Sequence, residues 1–376
     1  MTDTRNTYIF CFPDGKSKKF TLDKPGRFDF DDTYFVEGLK EMERLGVEGR
    51  TFLFAYDARV PLPCKGPDVV VILYGDERRL IPPYLHEVGA VFTCFGMTPV
   101  GGCAPILTRQ GLLETVDIAR RIAEWLPGAA RRAAQAMTGR RAAPVTRIAL
   151  GYQRLVSVPF VPFADRAYIL SFLGSLSGNS GRSLKTLFGT PKTAARGTLV
   201  SILEDMKAAG APVEIDVTAG YRESLSRGPV HFSQVLMDTR ICPVPRGTTL
   251  ETARYFAAAK FGCIVVAERQ PPSRIFADPP AITIRHWKHL PGLVAELLAD
   301  PVRMEELHRR SLLWWDEVCA EPVLGRDLAS ALGVSATLGD TGERNGQPAA
   351  MAPAPAGAAT RTVTGSPLRH DERGLA

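Results

Sequence analysis

The stretch PVPRGTTLETARYFAAAKFGCIVVAE, residues 243–268, leaves one apolar run and turns at Gly247. It continues at helical spacing over 249–261 and closes in a second apolar run over 263–267. Strand, short loop, helix and strand is the repeating unit of a parallel sheet with helices packed on it. The turn also carries chemistry. The first backbone N–H groups of a helix have no partner inside it and point outward, so Arg246-Gly247-Thr248-Thr249 at the head of the helix, with Arg254 close behind, suits an anion. Thr248 and Thr249 add hydroxyl donors or a cap, and Arg254 adds fixed charge.

The same alternation extends in both directions. Upstream, 168–173 and 213–216 read as strands, 193–209 and 230–237 as helices, and 240–245 as the strand that enters the loop. Nearer the start, apolar runs at 8–12, 51–56, 68–74 and 90–95 read as strands around a helix at 33–45, where Phe35, Leu39, Met42 and Leu45 recur at helical spacing. Between the two sets, 111–147 reads as a long helix followed by an Ala/Arg-rich segment with Arg120-Arg121, Arg131-Arg132 and Arg140-Arg141, a solvated linker in preference to a membrane-binding basic helix, because no broad aromatic or leucine face accompanies the charge. Helices close the body over 290–331, with Trp314 and Trp315 as packing anchors. From about 334 the chain turns to Gly, Ala, Pro, Thr and Ser, a composition that cannot bury enough surface to order itself. The expected organisation is an N-terminal Rossmann-like domain over 1–146, a second one over 147–333 facing it across a cleft, and a disordered tail over 334–376.

A length of 376 residues suits two domains. Apolar residues make up 45% and charged residues 23%, which excludes a fully disordered chain. The net charge of +6 resides in the body, because Arg344, Arg361, Arg369 and Arg373 of the tail are cancelled by Asp340, Glu343, Asp371 and Glu372. A basic body fits a phosphorylated ligand or an anionic membrane surface. No nucleic-acid-binding motif accompanies it, so no nucleic-acid partner is expected. Seven cysteines without a CxxC cluster indicate reduced thiols, no structural zinc and a cytoplasmic setting.

One further stretch offers an anion site and another a metal site. Gly174-Ser175 begins a glycine-rich loop after a strand, but GxxxxGK[ST] would need Gly where Leu176 stands and Lys where Arg182 stands. The glycines still allow backbone amides close to an oxyanion. Asp29-Phe30-Asp31 has the spacing of a metal-binding pair, yet Asp31 or Asp32 reads better as the cap of the 33–45 helix.

From His231 to Gly333 the chain resembles the donor-binding half of exostosin-like glycosyltransferases. The resemblance is carried by Phe232 through Pro243, by Pro245-Arg246-Gly247 with Arg254, and by Gly262-Cys263-Ile264-Val265-Val266. Trp287 and Trp314-Trp315 also look like bacterial members. Phe172-Leu173-Gly174-Ser175 with Arg196, and Leu73 through Glu77 with Pro82-Pro83-Tyr84, are similar to earlier segments of that group. The resemblance implies two facing Rossmann-like domains, the GT-B arrangement, and transfer of a sugar from a nucleotide donor to a glycan or lipid-linked acceptor. No metal or other cofactor is then needed, and peripheral attachment at the inner face of a membrane is compatible. It also implies a donor site of Gly174, Ser175, Arg196, Arg246, Gly247, Thr248, Thr249 and Arg254.

The family's glutamate, three residues after the arginine, is replaced by Ala257; Glu251, one turn before Arg254, is the substitute expected. The alternative function is a weak or inactive relative that only binds a nucleotide sugar or glycan. The base that accepts the acceptor's proton is expected from the first domain. Asp76 is preferred, with Glu77 and His86 as the other candidates, because Asp76 follows Val69-Val70-Val71-Ile72-Leu73 at the carboxyl end of a buried strand.

Overall fold

The computed structural model describes residues 5–23, 33–102, 104–153, 155–176, 189–218 and 228–334. The tail expected to be disordered, the Asp29–Asp32 segment and most of the glycine-rich run after Ser175 lie outside them.

The first sheet holds β1 (Thr7–Cys11), β2 (Ser17–Phe20), β3 (Thr51–Ala55), β4 (Gly66–Leu73), β5 (Val88–Thr93) and β6 (Val145–Arg147), in the order β2-β1-β3-β4-β5-β6. All its pairings are parallel except β1 with β2. Strands β1, β3, β4 and β5 are apolar on both sides because both faces are covered there, whereas the edge strand β2 is polar and exposed. Phe52, Phe54, Val70, Ile72 and Phe92 pack into one core, and Leu53, Val69, Val71, Leu73 and Val91 into another. Successive residues of a strand point to opposite faces, so one strand feeds both cores.

The second sheet holds β7 (Tyr168–Ser175), β8 (Val213–Thr218), β9 (Thr239–Val244), β10 (Ile264–Ala267) and β11 (Ile282–Thr283), in the order β11-β10-β9-β7-β8. Every pairing is parallel. The chain runs from β7 outward to β8, then returns to the other side of β7 with β9. That reversal makes a switch point between the carboxyl ends of β7 and β9, where open α/β sheets leave a crevice for ligands. The molecule is thus an α/β protein of two mostly parallel, helix-flanked sheets, a two-domain Rossmann-like fold.

Helices α1 (Thr33–Arg44) and α2 (Arg109–Met137) belong to the first half; α3 (Pro191–Ala208), α4 (Pro229–Met237) and α5 (Ala253–Lys260) to the second. The expected terminal helical region is three helices, α6 (Leu290–Leu298), α7 (Pro301–Trp314) and α8 (Glu321–Ala331), with a π-helical turn at Trp315–Cys319 before α8. Helix α8, which the sequence places with the second domain, packs on α1 of the first. The two helices approach closely because each contributes a glycine: a Cβ on Gly38 would lie 2.6 Å from Leu324 Cδ2, and one on Gly325 2.6 Å from Glu41 Cβ. Trp315 anchors this return, its ring 6.0 Å from that of Tyr34, whose Oη donates to Cys319 O at 2.7 Å; Trp314 Nε1 donates to Ile275 O at 3.2 Å within the second half.

The helix expected over 249–261 begins only at Ala253, with Thr252 as its N-cap. Residues 246–251 are loop, and their side chains serve the junction between the halves. Helix α2, expected to be a solvated linker, is also part of that junction: Glu114 and Arg121 are buried. Among the described residues Cys11, Cys64, Cys94, Cys242, Cys263 and Cys319 are free thiols. No described helix is long and apolar enough to cross a membrane.

Candidate functional site

The carboxyl ends of both sheets face one cavity of about 430 Å³. From the first half it receives Tyr56, Tyr74, Gly75, Glu77 and Phe95, and from the second Gly174, Ser175, Lys192, Arg196, Asp216 and His231. The loop before α5 and its first turn complete it with Gly247, Thr248, Thr252 and Arg254.

Arg254 sits in the first turn of α5. Its guanidinium lies over the Phe172 ring, 4.5 Å from the centroid, against the end of β7. Gly174 makes this possible. Its φ is +148°, and a Cβ there would stand 2.6 Å from Arg254 Nη2, so a larger residue would expel the guanidinium. Arg254 Nη1 is buried without a hydrogen-bond partner, and no carboxylate among the described residues pairs with it. Burial pushes its pKa down. The N-cap hydroxyl of Thr252 is also buried and unpartnered. A desolvated arginine and an idle hydroxyl at a helix N-terminus are donors without an acceptor.

Two further cations line the same wall. Arg196 of α3 donates from Nη1 to Ser175 O at 2.6 Å and from Nε to Arg246 O at 3.0 Å, tying the end of β7 to the end of β9. Burial, and then the neighbouring Arg254, lower its pKa to about 9. Lys192 stands in the first turn of α3, which starts with a reciprocal Thr190–Thr193 cap and Pro191. Burial and Arg196 lower the Lys192 pKa to about 8. Cations that depress one another's charge form a wall that gains from an anion.

On the opposite wall stands Glu77. Burial raises its pKa, against the opposing effects of the Thr248 hydroxyl, which donates to its carboxylate, and of Lys192, Arg121 and Arg196. Asp76, the preferred base, does not line the cavity. It is 1% exposed, and its Oδ2 accepts from Leu80 N at 3.1 Å, capping the turn after β4. Alternation past a strand sends adjacent side chains to opposite sides, and the turn delivers the second one, not the first. Burial, reinforced by Asp57, raises Asp76 to about 7. His86 lies outside the cavity as well, with both ring nitrogens buried and unpartnered.

Two residues expected to hold the donor are engaged elsewhere. Arg246 points away from the cavity, and its Nη1 donates to Glu114 Oε1 at 2.8 Å. Glu251 borders the cavity, but its carboxylate pairs with Arg79 at 2.6 Å and with Arg147 at 2.6 Å, both from the first half, and it is 2% exposed. It therefore serves the junction and leaves the gap at Ala257, a buried residue of the cavity lining, unfilled. Arg79 reaches Glu251 from a left-handed backbone with φ of 59°, a strained conformation held by this pairing. Thr249 donates its hydroxyl to Glu251 O at 2.9 Å, and Arg121 donates to Glu77 O and to Thr248 O, fixing both lips of the cleft.

The cavity also gathers residues the sequence reading left unassigned. His231, half-exposed in the first turn of α4, has Nε2 3.7 Å from Asp216 Oδ2 at the end of β8. Lys192 carried a signal, the Thr-Pro helix start before it; His231 and Asp216 carried none. Among the described residues no group of three or more His, Cys, Asp or Glu is placed to hold a metal.

Neither a family model nor a curated protein matches the chain, so the exostosin-like resemblance has no counterpart there. Among solved structures the chain is similar to one titled "Crystal structure of GtfA/B complex", with 8% identity and a TM-score of 0.34. That match covers 72% of this chain and 58% of the other, so the chain spans less than two thirds of its length.

Proposed function

We propose that the chain is a glycosyltransferase that takes a sugar from a nucleotide diphosphate donor, with the diphosphate held by side chains and helix amides and not by a metal. The observation that carries this reading is Arg254, a buried guanidinium with an unpartnered nitrogen at a helix N-terminus, beside Lys192 and Arg196 at the switch point of a parallel sheet.

In this reading Arg254, Lys192 and the first amides of α5 compensate the charge that grows on the departing diphosphate. Glu77, across the cavity, accepts the proton of the attacking hydroxyl. Its raised pKa suits a base that must work near neutrality. Of the cavity carboxylates contributed by the second half, Glu251 is already paired, so Asp216 with His231 takes the donor sugar's hydroxyls. The acceptor enters past Tyr56 and Tyr74, whose rings meet edge to face at 5.8 Å on the first-half wall.

A panel of nucleoside diphosphates in thermal-shift assays tests the reading, followed by hydrolysis of the best binder's sugar conjugate. Stabilisation with slow release of sugar supports a transferase. Stabilisation without turnover on any acceptor supports a binding module, the reading that Ala257 favours. No stabilisation by any diphosphate refutes both.

A further inference from the structure

Helix α2 presents an apolar stripe outward. A surface helix ordinarily turns its apolar stripe to the core and its charges to water. Here the inward face carries Glu114, which accepts from Arg246, and Arg121, which holds the lips of the cleft. Trp125 donates from Nε1 to Met97 O at 2.7 Å on the same side. The opposite face runs at three- and four-residue spacing through Leu112 (57% exposed), Val116 (69%), Ala119, Ala123, Leu126 (53%), Ala130, Ala134 and Met137 (83%), large apolar side chains alternating with exposed alanines. The loop before the helix adds Leu107, 94% exposed, and Ile106, 60% exposed. At a rise of about 1.5 Å per residue the stripe runs for roughly 40 Å.

The charge beside the stripe is of one sign. The three acidic residues of α2 are all paired: Glu114 with Arg246, Asp117 with Arg120 and Arg121, and Glu124 with Arg78 and Arg120. From Trp125 to Thr146 the sequence has no acidic residue, while Arg131, Arg132, Arg140 and Arg141 are exposed. We propose that the outer face of α2 docks on an anionic lipid surface, the apolar stripe entering the headgroup boundary and the arginines meeting lipid phosphates. A second copy of the chain would set these arginines against their own equivalents, whereas anionic headgroups complement them. Long exposed apolar stripes on a folded body mark interaction surfaces. The proposal rests on α2 and the residues flanking it, and is independent of the reaction assigned to the cavity.

The test is flotation of the full chain with vesicles of phosphatidylcholine, alone or mixed with phosphatidylglycerol. The chain is expected to float only with the anionic vesicles, and less as salt is raised. Each arginine near such a surface is worth about fivefold in partition, so Arg131→Ala with Arg132→Ala is expected to weaken binding roughly 25-fold. Replacing Leu112, Val116 and Leu126 together by Ser, all exposed positions, should leave melting intact and lower partition at least tenfold. A Leu126→Trp chain should show a blue-shifted emission, quenched by brominated lipid, with anionic vesicles. Failure to bind anionic vesicles, or equal binding to phosphatidylcholine alone, overturns the proposal. Self-association lost in the Ser variant, without lipid binding, would overturn it in favour of a second copy.

Discussion

Replacing Arg254 by Ala should weaken binding of nucleoside diphosphates and leave binding of the parent nucleosides nearly unchanged. The magnitude follows from the surroundings of the side chain. Arg254 has no carboxylate partner among the described residues, and its contacts are the Phe172 face and the end of β7. Its loss removes a cation–π contact worth roughly 0.5–2 kcal/mol but also relieves a desolvated charge beside Arg196, so the folded state changes little in stability. Binding is different. A charge-assisted hydrogen bond to a phosphate is worth about 1.5–3 kcal/mol, and a tenfold change corresponds to about 1.4 kcal/mol, so diphosphate affinity should fall about ten- to a hundredfold. Titration calorimetry on a variant that melts cooperatively, with diphosphate and nucleoside in parallel, separates the contributions. Equal losses for the two ligands, or an unchanged diphosphate affinity, would refute the phosphate role and with it the observation that carries the functional proposal.

Glu77→Gln should lower turnover about 10²–10⁴-fold with donor affinity nearly intact, whereas Asp76→Asn should retain most of the rate; comparison of initial rates decides between them. Asp76→Asn has a second consequence. Because the folded-state pKa of Asp76 is raised to about 7, the folded state holds a proton the unfolded chain releases, and stability falls as pH rises from about 4 to 7. The variant should therefore be more stable than the parent above pH 7 by on the order of 2–4 kcal/mol and show no such gain near pH 4, as read from denaturant midpoints. Diphosphate affinity should decline as pH rises through about 8, where Lys192 loses its proton, and Lys192→Met should remove that step while lowering affinity at pH 7. Glu251→Gln leaves Arg79 and Arg147 buried without their counter-ion and should destabilise by about 3–5 kcal/mol, seen as a fall in melting temperature of several degrees or more.

The alternation of strands and helices was legible in the local pattern, because a strand buried on both faces and a helix with a 3.6-residue stripe write their own local periods. Gly174, Gly247 and Arg254 were legible as candidate anion ligands for the same reason, since a glycine turn at the head of a helix is a local arrangement, and the structure brings all three to the cavity. The start of α5 was not. Thr248, Thr249 and Thr252 are all competent caps, and the loop is drawn out to Thr252 because Glu251 is held by Arg79, 172 residues away in the chain. The same holds for which charges are available to a ligand. In sequence Arg246 and Arg254 are equivalent neighbours of one glycine loop. Only the packing of α2 against that loop brings Glu114, 132 positions distant, onto Arg246, while no described carboxylate arrives at Arg254. Asp76 and Glu77 differ likewise by the capping bond to Leu80 N, which turns one carboxylate into the protein and leaves the other to the cavity. A side chain's type fixes the chemistry it offers, but its partner is chosen by contacts between segments far apart in the chain, and those exist only once the two sheets face each other.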